Sequence, residues 1–260
     1  MKPFDHQSGQ HMQVDDALLY AERSDPRDGY PVLYLPGGFG HIAEFNGVTP
    51  ALTDSMQLIG IDTRGHGRST MGTRGLSYAQ LESDVLAVVE HLKLKKLSII
   101  GYSDGGIVAL RLAANRQLEI EKVVVIGAHW QLGADDPVRE DFKQITPAGW
   151  REEFPETYEQ YMALNPEPDF DRFAMQVVNM WLADVSANGY PGELVRQITC
   201  DLLIAYGEDD PYLTYESMQA LAERVPNSRL LRVSDAGHAV HDDQHEIFVE
   251  HLLAFFDDMI

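Results

Sequence analysis

A chain of 260 residues, 44% hydrophobic, is long enough for one large α/β domain with room for an inserted subdomain. Its formal net charge of −21 leaves no basic stripe to displace counterions from phosphates, which argues against a nucleic-acid partner and reads as a solubilising surface. The single cysteine, Cys200, excludes an intramolecular disulfide framework and a cysteine-built metal cluster, and points to a reducing compartment.

The opening Met1-Lys2-Pro3-Phe4-Asp5-His6-Gln7-Ser8 lacks the apolar run of a signal peptide, and no stretch approaches membrane-spanning length. A cytoplasmic protein without a membrane partner is therefore expected. Gln13-Val14, a turn at Asp15-Asp16 and the run from Ala17 to Glu22 predict a two-stranded start, followed by a loop at 24–29. Pro31-Val32-Leu33-Tyr34-Leu35 predicts a buried strand ending in Pro36-Gly37-Gly38-Phe39-Gly40. Glycines there free backbone N–H groups, as a phosphate cradle or an oxyanion hole requires, but the lysine of a phosphate-binding loop is missing.

Met56-Gln57-Leu58-Ile59-Gly60-Ile61-Asp62 predicts the next strand, and Thr63-Arg64-Gly65-His66-Gly67-Arg68-Ser69 a tight polar turn in which His66 is read as structural. Residues 76–92 predict a helix capped by Ser77, with Leu81, Val85, Val88, Val89 and Leu92 along one face. A strand then runs from Lys96 into Gly101-Tyr102-Ser103-Asp104-Gly105, and the helical pattern beginning at Ile107 follows directly. Glycines two before and two after the serine suit a sharp strand-to-helix turn that lifts Ser103 clear of the sheet and leaves the Asp104 amide at a helix N-terminus.

Lys122-Val123-Val124-Val125-Ile126-Gly127 predicts a further strand, after which the rhythm breaks. Residues 129–197 hold no strand-like run; aromatic stripes at Trp150, Phe154, Tyr158, Tyr161 and at Phe173, Val177, Met180, Trp181 predict an inserted helical cap. These stripes are expected to pack the cap against itself or the core rather than to touch substrate; any that face a cleft would make the site roomy and apolar with an aromatic wall. The rhythm resumes with a strand at 201–206 ending in Gly207-Glu208-Asp209-Asp210, a helix at 215–224, a strand at 229–233 ending in Ser234-Asp235-Ala236-Gly237-His238, and a helix at 244–256. Alternating strands and helices imply a mostly parallel sheet covered on both faces, divided into a core of 1–128 and 198–260 and a cap of 129–197.

In a parallel sheet the strand ends gather on one edge, so Ser103, an acid from Asp209-Asp210, and His238 can converge. Serine is a weak nucleophile until an imidazole takes its proton, and a carboxylate fixes the imidazole tautomer. With these motifs in this order the chain resembles the α/β-hydrolase superfamily over nearly its whole length, and Asp62 to Ser69 matches a loop frequent in that group. The resemblance selects Asp210 as acid and His238 rather than His241 as base. It implies oxyanion donors at the amides of Gly38 and Asp104, with Phe39 the second choice and a substrate contact; many relatives carry His-Gly where this chain has Pro36-Gly37.

Leu35-Pro36-Gly37-Gly38, the Gly101 to Gly106 turn and the cap aromatics are similar to the biphenyl-hydrolase-like, valacyclovir-hydrolase group. That resemblance implies that Asp104 also selects substrates by holding the ammonium of an α-amino-acid ester. The expected activity is hydrolysis of small or medium carboxylic esters through an acyl-enzyme, by a monomer or homodimer, with no metal or cofactor. The alternatives are carbon–carbon bond hydrolysis of ring-cleavage products, a perhydrolase side activity, and a hydrolase-fold ligand-binding protein with little turnover.

Overall fold

In the computed structural model the apolar runs form an eight-stranded sheet in the order β1-β2-β4-β3-β5-β6-β7-β8. The structure describes residues 2–24, 28–52 and 55–257, so the middle of the loop expected at 24–29 lies outside the described residues. Strands β1 (Gln10–Val14) and β2 (Ala17–Arg23) form the antiparallel hairpin, and β2 also runs antiparallel to β4 (Met56–Asp62). The remaining neighbours, β3 (Tyr30–Leu35), β4, β5 (Lys96–Tyr102), β6 (Glu119–Ile126), β7 (Asp201–Gly207) and β8 (Ser228–Val233), pair in parallel. All seven residues of β4 are buried, as expected of a strand covered on both faces.

Helix α1 (Tyr78–His91) begins where Ser77 Oγ accepts the Gln80 amide at 3.1 Å, and α2 (Asp104–Asn115) follows β5 without a loop. Both pack with α7 (Tyr215–Arg224) in one hydrophobic cluster. On the opposite face α9 (His245–Phe256) sets Phe248, Leu252, Phe255 and Phe256 against the sheet, and each fully buried side chain of this kind contributes about 1.5–3 kcal/mol. Two 3₁₀ stretches, Ile42–Gly47 and Thr49–Ala51, and the short α8 (Val240–Asp243) fall below the length at which periodicity is readable.

Between β6 and β7 lie α3 (Val138–Gln144), α4 (Pro147–Glu153), α5 (Pro155–Leu164), α6 (Phe170–Trp181) and a 3₁₀ turn, Gly192–Gln197. The stripe from Trp150 to Tyr161 is not one helix. Pro155 has no N–H to continue α4, and it opens α5 instead. Asn165 docks this segment on the polar turn after β4, its Nδ2 reaching the carbonyls of Gly65, Gly67 and Ser69 at 3.1, 3.2 and 2.9 Å. That turn is itself pinned by fully buried Arg64, which donates to both oxygens of Asp84 at 2.7 and 2.8 Å and to Asp16 at 2.8 Å.

After β3 the chain builds β4 on one side of it and then β5 on the other. Such a reversal leaves a crevice outside the carboxyl ends of the two strands. The glycine loop leaves β3 there and Ser103 leaves β5.

Candidate active site

Ser103 occupies the turn between β5 and α2 at φ 48 and ψ −115, a conformation that a residue with a side chain adopts only where its surroundings fix it. Its amide donates to the Ile126 carbonyl at 2.8 Å, anchoring the turn to β6. The close packing explains the second glycine: a Cβ on Gly105 would lie 2.0 Å from the Leu35 carbonyl oxygen.

Beyond β8, His238 points back across the strand ends. Its Nε2 lies 3.0 Å from Ser103 Oγ and its Nδ1 2.8 Å from Asp210 Oδ2. Asp210 is buried after β7, while its neighbour Asp209 is exposed, so only the former can reach the imidazole. Asp210 Oδ1 accepts the Tyr212 amide at 2.9 Å. Burial acts to raise the Asp210 pKa, but the bond from His238, its charge and the Tyr212 amide outweigh it, and the net displacement is downward. An ionised Asp210 only accepts, so the proton between the two sits on His238 Nδ1, and a neutral imidazole held this way would turn its Nε2 lone pair toward Ser103. His241 does not join this row; it is buried against Tyr102, Phe45 and Phe248.

These groups open into a cavity of about 670 Å³. Phe39, at φ 64, stacks on Trp150 with ring centroids 3.8 Å apart, and Trp181 meets Phe39 edge-on at 5.6 Å. Trp150, Phe154 and Trp181 all line the cavity, which corrects the expectation that the aromatic stripes serve packing alone. The same helices do both: Phe173, Val177 and Met180 of α6 are buried in the core cluster while Trp181, at the end of that helix, faces the cavity.

Asp104 supplies a second carboxylate. Trp181 Nε1 donates to its two oxygens at 2.9 and 2.8 Å, and Tyr78 Oη to Oδ1 at 2.9 Å. Burial pushes its pKa up to about 6, against the pull of those two donors and the charge of His238. The loop after β3 runs beside it: a Cβ on Gly38 would fall 2.6 Å from Asp104 Oδ2, and one on Gly37 3.3 Å from Ser103 Cβ. Tyr78, Tyr190, His129 and Glu44 also line the cavity, and none sits in a sequence motif that marks it. His129 is held neutral by burial, its pKa pushed down to about 4, and contacts the Tyr212 carbonyl through Nε2 at 3.1 Å. No lysine or arginine is among the described residues lining the cavity.

His66 is buried away from the cavity lining, with Nδ1 3.0 Å from Thr63 Oγ1 and its ring edge-on to Phe173 at 4.7 Å. Among the described residues no group of three or more His, Cys, Asp or Glu is placed to hold a metal ion, and no helix is long and apolar enough to cross a membrane.

A sheet with this switch point, a serine on a strained turn and an imidazole in reach define a hydrolase scaffold. The chain belongs to the alpha/beta hydrolase family, whose model matches residues 32–251. It is 27% identical over 240 residues to the human serine hydrolase BPHL, covering 88% of this chain and 79% of that one. The esterase EaEST of Exiguobacterium antarcticum superposes with a TM-score of 0.78 at 24% identity, over 96% of this chain and 99% of that chain. The meta-cleavage product hydrolase of Pseudomonas fluorescens IP01 superposes with a TM-score of 0.81 at 18% identity, over 98% and 100% of the two chains.

Proposed function

We propose that the protein is a serine hydrolase of small or medium carboxylic esters that works through an acyl-enzyme on Ser103. The observation that carries this reading is the row Ser103 Oγ, His238 and Asp210 Oδ2, at 3.0 and 2.8 Å, opening into the aromatic cavity. His238 Nε2 takes the Ser103 proton as Oγ attacks the carbonyl carbon, and Asp210 stabilises the imidazolium that forms. The amides of Gly38 and Asp104 hold the tetrahedral oxyanion. His238 then protonates the departing alcohol, and water that it deprotonates releases the acid. Residues 129–197 act as the cap, the rest of the chain as the core, and the cap supplies Trp150 and Trp181 as the apolar wall.

Within the ester class we propose a preference for acyl groups bearing an α-amine. Asp104 supports it: the carboxylate lines the cavity and its hydrogen-bond partners, Trp181 Nε1 and Tyr78 Oη, are neutral. A substrate ammonium restores the stability of the charged form that burial disfavours, and a substrate without one leaves it uncompensated. Ring-cleavage products carry carboxylates, which a wall without lysine or arginine does not favour. The resemblance to BPHL, a serine hydrolase by name, supports the serine-hydrolase reading and is silent on the amine.

The test is steady-state hydrolysis of p-nitrophenyl acetate, butyrate and octanoate beside a benzyl α-amino-acid ester, by wild type and Ser103→Ala. Turnover by the wild type and a fall of about three orders of magnitude or more in the variant is the expected result. Absence of turnover on every ester refutes the reading and leaves a ligand-binding role to be tested.

A further inference from the structure

Glu44 has no part in the reaction as proposed, yet its carboxyl is built into the loop on which that reaction depends. It lies on the 3₁₀ stretch Ile42–Gly47 and lines the same cavity as Ser103. Its Oε1 accepts the His41 amide at 2.8 Å, and Gly37, at the other end of the loop, is close enough for its amide to act on the carboxyl's pKa. Between Gly37 and His41, a Cβ on Gly40 would fall 1.6 Å from Glu44 Oε1. The carboxyl therefore fills the inside of the turn made by residues 37–41. Across the loop stands Asp104, at 2.6 Å from the place of a Gly38 Cβ, so the glycines thread between two acids.

We propose that Glu44 is a positioning residue that fixes the direction of the Gly38 amide toward the oxygen of the reacting carbonyl. This rests on the reading of Ser103 as an ester nucleophile. A loop with glycine at 37, 38 and 40 samples many backbone directions unless something constrains it, and an oxyanion donor is useful only if it is aimed before the charge develops. Phe39 at φ 64, between two glycines, is the strained residue that such a constraint holds in place. Burial displaces the Glu44 pKa well above the ordinary carboxylate range, with Asp242 and Asp62 acting in the same direction and the His41 and Gly37 amides against it.

A capping role alone is the rival explanation, because Glu44 and His41 form a reciprocal capping box that stabilises the 3₁₀ stretch. The two differ in what a substitution does to kcat, KM and the binding of a tetrahedral mimic. The experiment compares wild type, Glu44→Ala, Glu44→Gln and Gly40→Ala on p-nitrophenyl butyrate, with the inhibition constant of butylboronic acid and the melting temperature of each. In that adduct Ser103 Oγ bonds to boron, its proton passes to His238, and the boronate becomes tetrahedral and anionic.

Positioning predicts that Glu44→Ala lowers kcat by about 30- to 300-fold with KM within about threefold, and weakens boronate binding in parallel. Glu44→Gln keeps an acceptor and stays within about fivefold of wild type, whereas Gly40→Ala, which pushes the carboxyl out, follows Glu44→Ala. A kcat within about threefold of wild type in Glu44→Ala, or a loss confined to KM, overturns the proposal. If Glu44→Ala does not fold, full activity and unchanged boronate binding in Gly40→Ala overturn it. An inactive wild type overturns the ester reading and this inference together; an active wild type with unaffected variants overturns this inference alone.

Discussion

Asp210 and Asp104 are both buried beside Ser103, and their surroundings drive them in opposite directions. Asp210 faces an imidazole, a group able to carry positive charge, and its pKa is displaced downward despite its burial. Asp104 faces an indole N–H and a phenol, and its pKa is pushed up to about 6. Two neutral donors offset only part of what burial takes from a carboxylate, whereas a neighbour able to carry charge reverses the balance. The first arrangement is complete in the free protein. The second favours the neutral acid more than an ordinary aspartate does, and under the proposed reading a substrate cation would offset that cost.

The difference is broken most directly on the Asp210 side. Asp210→Asn and His238→Ala are each expected to lower kcat on p-nitrophenyl butyrate by about 10³- to 10⁴-fold with little change in KM, because both act on the proton transfer. Steady-state kinetics of the two variants check this, and a loss appearing mainly in KM would mean that the row binds substrate rather than activating Ser103.

Asp104→Asn should leave the neutral ester within about threefold while the amino ester loses about 10- to 100-fold in kcat/KM, since only the latter uses the charge. In the wild type the ratio of amino to neutral ester should fall as pH drops through about 6, where Asp104 takes up its proton, and in the variant it should be flat. Taking the ratio cancels any pH effect on the proton transfer from Ser103, a step that both esters share. A ratio independent of pH in the wild type would remove Asp104 from substrate selection.

The smallest expected effect is on stability, and its sign is opposite. The folded-state pKa of Asp104, about 6, lies above its ordinary value of 3.8, so the native protein binds this proton more tightly than the unfolded chain does. Stability contributed by this group is present below the lower value and lost as pH rises through the upper one. Asp104→Asn is therefore expected to stabilise the protein at pH 7 to 8 by at most about 2–3 kcal/mol, with the gain vanishing below about pH 4. Urea unfolding at both pH values measures it; a destabilised variant at pH 8 would show that the hydrogen bonds of Tyr78 and Trp181 outweigh the buried charge.

The difference between these two aspartates also marks how far the sequence is legible. Strands and their order follow from local apolar runs, and β4 (Met56–Asp62) and α7 (Tyr215–Arg224) have the bounds that the pattern predicts. Ser103 and His238 follow from glycine-marked turns at strand ends. The choice of Asp210 over Asp209 comes from the resemblance, because adjacent residues after a strand differ only in which one turns inward. The cavity is less legible. Helical spacing groups Trp150 with Tyr161, but Pro155 divides them, and docking through Asn165 helps set which rings reach the cavity. Glu44, Tyr78, His129 and Tyr190 come from four separate stretches that meet only in the folded chain.

The central claim is that Ser103 is the nucleophile of an ester hydrolase, and covalent labelling tests it most directly. Wild type and Ser103→Ala are treated with a fluorophosphonate, the label is counted by intact mass, and the modified peptide is sequenced. The account predicts one adduct per chain, located on Ser103, with ester turnover lost in step with labelling and no adduct on the variant. Labelling of another residue, or turnover that survives full modification of Ser103, would contradict it.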